Sequence, residues 1–355
     1  MIFSNTYKGK KVLITGHTGF KGSWLLSWLF LLGAKVKGYA LPPENENDLF
    51  NEIGGTNLCE SIFGDIMDYP SIEKEILEFE PDFIFHLAAQ PLVRLSYEKP
   101  VETFSINGIG TAHILEATKK LARRCNLILI TTDKVYHNHE WLYPYRENDR
   151  LGGYDPYSAS KACMELIIES YRNSFFNSAH YENHKKAIAV ARAGNVIGGG
   201  DWAKDRIIPD TVRALRQNEP VIIRNPKAIR PWQHVMEPLC GYLLLGYYME
   251  KDPIRFSTAY NFGPYIEDNL EVEDLVKKAI EIWQKGKYEI RSHGSQPHEA
   301  GLLKLDISKA LSELDWRPRL NANEAINKTI SWYKNAQTTR AFELVKKDIL
   351  DYENA

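Results

Sequence analysis

Cysteine is scarce: Cys59, Cys125, Cys163 and Cys240 are the only four in 355 residues, far apart and without metal-ligand spacing. That excludes a disulfide framework and a structural zinc site, and leaves isolated buried thiols in a reducing compartment. Long apolar runs are missing as well. The most apolar early stretch, Trp24 to Leu32, is too short to span a bilayer. The N-terminus reads as lacking a signal peptide, so the expectation is a cytoplasmic protein with no membrane partner. Charge of one sign is also lacking. The formal net charge is -2, and the basic pairs Lys10–Lys11, Arg123–Arg124 and Lys185–Lys186 are short and scattered. A nucleic-acid partner therefore has no footprint here. Repeats, heptads, zinc patterns, P-loops and nucleophile elbows are absent, and no metal is expected.

What remains is an ordinary globular composition, 44% hydrophobic and 25% charged, at a length that suggests roughly two domains. Strand-like runs at Lys11–Thr15, Lys35–Ala40, Ile62–Asp65, Phe83–Leu87, Leu127–Thr131 and Ala187–Ala191 alternate with helical stretches at 23–32, 69–79, 109–122 and from Pro156 onward. Such alternation predicts an α/β fold, a Rossmann-type doubly wound parallel sheet. The rhythm loosens after about residue 190. Residues 191–234 and 266–355 are expected to form a smaller mixed α/β substrate domain. Residues 1–190, completed by parts of 235–265, form the dinucleotide-binding domain. The polar loops at 42–57 and 137–150 are expected on the surface.

Gly16-His-Thr18-Gly19-Phe20-Lys-Gly22 follows the first strand at once. Glycines there let a backbone approach pyrophosphate, and the next helix supplies N–H donors. A ribose-binding acid should end the second strand, but Gly38-Tyr-Ala-Leu41 stands there. No Arg or Lys follows the strand until Lys74, well beyond the third strand, to meet a 2′-phosphate, so NAD is preferred over NADP. Asp65 and Ile66, after the third strand, suit the adenine side. Leu87, Ala88 and Ala89, after the fourth, complete the expected cofactor contacts.

Tyr157 and Lys161 lie four apart on one helical face, where the cation lowers the phenol's pKa toward that of a general base. Tyr7–Lys11, Tyr181–Lys185 and Tyr247–Lys251 share that spacing, so the surroundings decide. The glycine turn, His86-Leu-Ala-Ala, the Tyr-x-x-x-Lys and Leu305-Asp306…Leu314-Asp-Trp316-Arg-Pro318 resemble the extended short-chain dehydrogenase/reductase superfamily over nearly the whole chain. The resemblance implies Tyr157 as base, Lys161 on the nicotinamide ribose, and Thr132 bonded to the same substrate oxygen.

Asp133-Lys134 follows Thr132. Epimerases of the superfamily typically carry small residues there, whereas sugar-nucleotide 4,6-dehydratases place an acid–base pair. Thr132-Asp133-Lys134, the segment from Arg192 to Trp202 and Ile229-Arg-Pro-Trp-Gln-His234 closely resemble the CDP-D-glucose 4,6-dehydratase family. That implies C4 oxidation of a sugar nucleotide, loss of water across C5–C6, and hydride return to C6. Asp133 would protonate the departing O6. Lys134 would take H5 or, staying charged, stabilise the enolate. Asn195 would face the diphosphate, with Arg206 and Arg230 on the phosphates. Arg94 and Ser96 would border the nicotinamide and sugar, and Asn107 would shape the site or cap a helix. His17, His86 and His234 are read as core or loop hydrogen-bonders. Rival readings are a UDP-N-acetylhexosamine dehydratase, a sugar-nucleotide 4-epimerase, or a non-catalytic dinucleotide sensor. A homo-oligomer, dimer or tetramer, is expected through apolar faces at 109–122 and 157–171.

Overall fold

The structure, a computed structural model, describes residue 3, residues 5–291 and residues 302–354. Its strands run in chain order as β1 (Lys11–Thr15), β2 (Lys35–Ala40), β3 (Glu60–Phe63), β4 (Phe83–His86), β5 (Cys125–Thr131) and β6 (Lys186–Ala193). There follow β7 (Val196–Ile197), β8 (Val221–Ile223), β9 (Ile229–Arg230), β10 (Gln233–His234), β11 (Ala259–Phe262), β12 (Leu270–Glu271) and β13 (Tyr288–Ile290). Seven of them make one sheet in the order β11-β6-β5-β4-β1-β2-β3, with every neighbouring pair parallel. The order reverses between β1 and β4. In open α/β sheets ligands bind at that switch point, beyond the strands' carboxyl ends.

Near-continuous apolar runs make these strands because both faces of the sheet are covered. Side chains alternate between faces. Ile128 and Ile130 of β5 enter one core with Val12 and Ile14, while Leu127 and Leu129 enter the other with Leu13. The first core also takes Trp24 and Trp28 from the helix Phe20–Leu31, both fully buried. The short strands pair outside the main sheet, β7 with β10, β8 with β13 and β9 with β12. β11 returns to the main sheet beside β6.

Several local features differ from the sequence reading. The first helix begins at Phe20, because Gly19 is its N-cap. The stretch 109–122 is not one helix. A π-turn at Ser105–Ile109 precedes the α-helix Gly110–Lys119, and Asn107 inside that turn is drawn into the site. The loop 42–57 hides a short helix, Leu49–Glu52, whose Leu49 and Phe50 are buried, with Phe50 edge-on to His17. Of the thiols only Cys125 and Cys240 are buried; Cys163 is exposed and Cys59 half-buried, and all four are free.

The helix Ala341–Asn354 closes the nucleotide side. Trp28 Nε1 donates to Glu353 Oε1 at 2.7 Å, and Phe30 meets Phe342 edge to face. Tyr352 Oη donates to Glu237 Oε2 at 2.7 Å. The other Glu237 oxygen accepts from the backbone N–H groups of Arg319 and Leu320. Burial nevertheless pushes the Glu237 carboxyl up to about 7. No helix among the described residues is long and apolar enough to cross a membrane.

Candidate active site

The glycine turn has room for one thing. Gly16 has φ +76, and a Cβ on it would lie 2.7 Å from the Ala88 nitrogen. One on Gly22 would come 2.1 Å from the Gly16 oxygen, so both glycines are needed for backbone packing. A Cβ on Gly19 would meet nothing nearer than 3.5 Å. The helix it opens has neither a side-chain cap nor an acid in its first turn. The uncapped N–H donors of that first turn suit a pyrophosphate. Thr18 Oγ1 donates to the Leu41 carbonyl at 2.9 Å and ties the turn to the end of β2. Phe20 packs against the first core. Asp65 is exposed beyond β3, its carboxylate accepting from the Met67 N–H. Ile66 is buried, and Leu87, Ala88 and Ala89 follow β4.

At the carboxyl end of β5 the chain turns through a 3₁₀ helix, Asp133–Val135, with Thr132 as its N-cap. Consecutive residues there point about 120° apart, so the adjacent pair splays. Asp133 borders a small hollow with Gly194, Gln233, Tyr265 and Lys304. Lys134 borders a separate cavity of about 280 Å³ with Tyr136, His139, Glu140, Asp155 and Ser158. The helix Pro156–Ser174 begins at a proline, with Asp155 capping the Ser158 N–H, and presents Tyr157 and Lys161 side by side in the buried face. Ser96 Oγ accepts from the Tyr157 N–H. Asn107 Oδ1 accepts from the Gln90 N–H, while its Nδ2 donates to the Gln90 carbonyl and to Ser160 Oγ at 2.8 Å. Asn107 is therefore a brace behind Tyr157, not a helix cap.

The electrostatics depart from the simple Tyr–Lys picture. Burial pushes the Tyr157 phenol up to about 12, against a lowering hydrogen bond from Thr132. Lys161 is pushed down to about 7 by burial first and by the charge of Lys21 second. Lys21, from the middle of the glycine turn, is itself lowered to about 8 by burial and by Arg206. Sequence reasoning missed Lys21; the one signal was a cation set between Gly19 and Gly22 at the start of an otherwise apolar helix. Replacing Lys21 with Met removes a like charge and raises the Lys161 pKa. Lys161 then keeps its proton to higher pH, so the alkaline limb of the pH–rate profile should move up. An unmoved limb would mean that Lys161 does not feel Lys21.

Arg206 acts electrostatically on Tyr157 and is ion-paired with Asp201 at 2.9 Å. Arg94 faces Asp205 at 3.6 Å, as Arg224 does at 3.0 Å. Arg230, in β9, donates to the Ile229 carbonyl. Asn195 has a positive φ of 52, and its Nδ2 donates to Asp133 Oδ2 at 3.2 Å. The amide expected to face a diphosphate is hydrogen-bonded to the Asp133 carboxylate. Trp232 is buried, as are all three candidate histidines. His86 bridges Thr15 and Thr111, and His17 bonds Ser61. Burial lowers His17 to about 4 and His234 to about 3.

A buried hub supports these groups from behind. Arg192, in β6, forms an ion pair with Glu165 in which both side chains are 4% exposed. Its NH1 donates to Tyr136 Oη at 2.6 Å and to the Glu147 carbonyl at 2.9 Å. Glu165 Oε1 also accepts from Thr131 Oγ1 at 2.6 Å. Tyr136 Oη continues to Asn261 Oδ1, and Asn261 Nδ2 reaches the Tyr145 and Asp306 carbonyls. One guanidinium thus connects the end of β5, the helix one turn beyond Lys161, and the loop after Lys134.

The family described as GDP-mannose 4,6 dehydratase matches residues 13–329. The chain belongs to that family. A curated CDP-glucose 4,6-dehydratase of Salmonella typhimurium is 49% identical over 358 residues, covering 100% of this chain and 99% of that protein. CDP-paratose 2-epimerase of Salmonella typhi is 26% identical, covering 91% and 98%. Among solved structures, DesIV, the dTDP-glucose 4,6-dehydratase of Streptomyces venezuelae with NAD and TYD bound, superposes with a TM-score of 0.78. It is 22% identical, with 92% of this chain and 98% of that one covered. The chain thus has a Rossmann-type fold like that of this solved dehydratase.

Proposed function

We propose that the chain is a redox-neutral sugar-nucleotide 4,6-dehydratase that converts CDP-D-glucose to CDP-4-dehydro-6-deoxy-D-glucose and water. The observation that carries this reading is the turn Thr132-Asp133-Lys134, set beside Tyr157 at the carboxyl end of β5. An epimerase has no use for such a pair. The full-length similarity to a CDP-glucose 4,6-dehydratase supports the choice of nucleotide.

The glycine turn, with Thr18, Phe20, Asp65, Ile66 and Leu87–Ala89, is the proposed seat of NAD, and its geometry fits a pyrophosphate. When bound, the dinucleotide supplies a hydride acceptor and then donor, which makes oxidation at C4 and reduction at C6 cancel. Tyr157 and Thr132 handle the O4 proton, and Lys161 lies beside them. Asp133 and Lys134 are the proposed groups for the elimination, the first toward O6 and the second toward H5. Arg94, Arg206 and Arg230 are the proposed substrate cations, Asn195 acting through Asp133. A second copy of the chain is the proposed cover for Val101, Ile109 and Leu166, which are 78%, 48% and 56% exposed.

The deciding experiment incubates the protein with a panel of nucleoside-diphosphate glucoses in deuterated water. CDP-glucose should give a 4-keto-6-deoxy product carrying solvent deuterium at C5. After dialysis, NAD⁺ should restore the activity and NADP⁺ should not. A C4 epimer with its 6-hydroxyl intact would overturn the assignment.

A further inference from the structure

Two arginines share one carboxylate oxygen. Asp205 Oδ1 lies 3.6 Å from Arg94 NH1 and accepts from Arg224 NH1 at 3.0 Å. The guanidiniums come from distant parts of the chain, Arg94 from the helix Val93–Glu98 and Arg224 from the residue after β8. Arg94 stands at the rim of the site. Its neighbour Val93 borders the cavity that Lys134 borders, and Ser96, two residues on, accepts from the Tyr157 N–H. Arg206 follows Asp205 directly and pairs with Asp201. Three arginines therefore meet one short segment, and two aspartates on it answer them.

The two aspartates are held differently. Asp201 is 4% exposed. Its Oδ2 accepts from Arg206 at 2.9 Å, its Oδ1 from the Ala203 N–H at 3.1 Å, and its carbonyl from Tyr333 Oη at 2.6 Å. It is fixed, and it fixes Arg206. The Asp205 side chain is 40% exposed, and among the described residues its carboxylate is tied to guanidiniums alone. Ion pairs this open are weak, whereas a phosphate offers each guanidinium a forked, charge-assisted contact. Charge counting points the same way. A sugar nucleotide bears one negative charge on each phosphate. With both aspartates in contact, these three guanidiniums leave a single positive charge to meet it; with Asp205 displaced, they leave two.

Building on the sugar-nucleotide reading above, we propose that Asp205 competes with the substrate's diphosphate for Arg94 and Arg224, which makes Arg224 a further substrate cation and Asp205 the group that hastens release of the charged product. The carboxylate gives up both guanidiniums as the diphosphate arrives and takes them back as the nucleotide leaves. Substrate and product carry the same diphosphate, so arginines that held it unopposed would also hold the product. Asp205 lowers the affinity for both and speeds departure. Asp201 does the reverse, keeping Arg206 in place throughout.

The test titrates CDP into the NAD⁺-loaded protein by calorimetry and follows its release by stopped flow. Asp205→Asn removes the charge and keeps a residue that tolerates the left-handed backbone found there, φ 59. This variant should bind CDP about 3–10-fold more tightly, the worth of one or two open ion pairs, and the gain should appear mainly as slower release. Arg224→Met should weaken CDP binding, and in that background Asp205→Asn should gain less. Weaker or unchanged CDP binding in Asp205→Asn would make the carboxylate a prop for the arginines and overturn the competition. Normal CDP binding in Arg224→Met, or an undiminished gain in the double variant, would overturn the part given to Arg224. A parallel gain in NAD⁺ affinity would reveal a general charge effect and count against the proposal as well. If wild type itself binds CDP no better than cytidine, the sugar-nucleotide reading falls first. Clear wild-type preference for CDP that Asp205→Asn leaves untouched sinks the competition alone.

Discussion

Tyr157→Phe should leave a folded protein in which no sugar is oxidised. The ring fills the same space, so packing around a residue that is 9% exposed is kept. Only the phenolic oxygen is lost. With it goes the group proposed to receive the O4 proton. Mixing with CDP-glucose and NAD⁺ should then give no absorbance from reduced dinucleotide within a single turnover. The loss is at least the ~10²–10⁴-fold assigned to general acid–base assistance. Thermal midpoint serves as the control and should not move. A wild-type burst of reduced dinucleotide in this variant would remove Tyr157 from the oxidation step.

The largest loss of stability is expected from Arg192→Met. The guanidinium and Glu165 are both almost wholly buried. Removing one partner strands a carboxylate in the core, at a cost of about 3–5 kcal/mol. Tyr136 and the Glu147 carbonyl lose a donor at the same time. For a chain of this size the thermal midpoint should fall by about 4–7 °C. The double variant Arg192→Met, Glu165→Leu removes both charges, and should recover much of that loss, because a buried pair replaced by apolar groups is often near neutral. A double variant no more stable than the single one would show that the stranded charge is not the cause.

What the sequence made legible is what depends on near neighbours in the chain. A strand followed at once by spaced glycines announces a phosphate cradle, because the backbone conformation there is set locally. Tyr157 and Lys161 share a helix, so four residues of spacing place them together. Asp133 and Lys134 share a turn, and the strand before it fixes where that turn opens. The electrostatic state of the same residues was not legible. Lowering of the Tyr157 phenol by Lys161 was expected, yet burial decides the direction for both groups. Burial is a property of the assembled core. Partners far apart in sequence were hidden for the same reason. Lys21 reaches the site from the glycine turn, Asn195 reaches across from beyond β6, and Arg192 finds Glu165 on another element. The π-turn at Ser105–Ile109 was invisible because its apolar spacing passes for ordinary helix. The helix Leu49–Glu52 was missed inside a stretch whose composition is polar, although its two apolar residues are the buried ones.

The contact of the helix Ala341–Asn354 with Trp28 and Glu237 bears on how the polypeptide emerges from the ribosome. Synthesis runs at about 5–20 residues per second, and early segments ordinarily fold while later ones are still being made. Here the first helix of the nucleotide domain cannot pair its buried indole until Glu353 has been added. The main sheet likewise waits for β11 before β6 has its outer neighbour. In a nascent chain the β6 edge therefore stays open until β11 is made, and the Trp28 indole N–H stays without Glu353 until the helix Ala341–Asn354 is made.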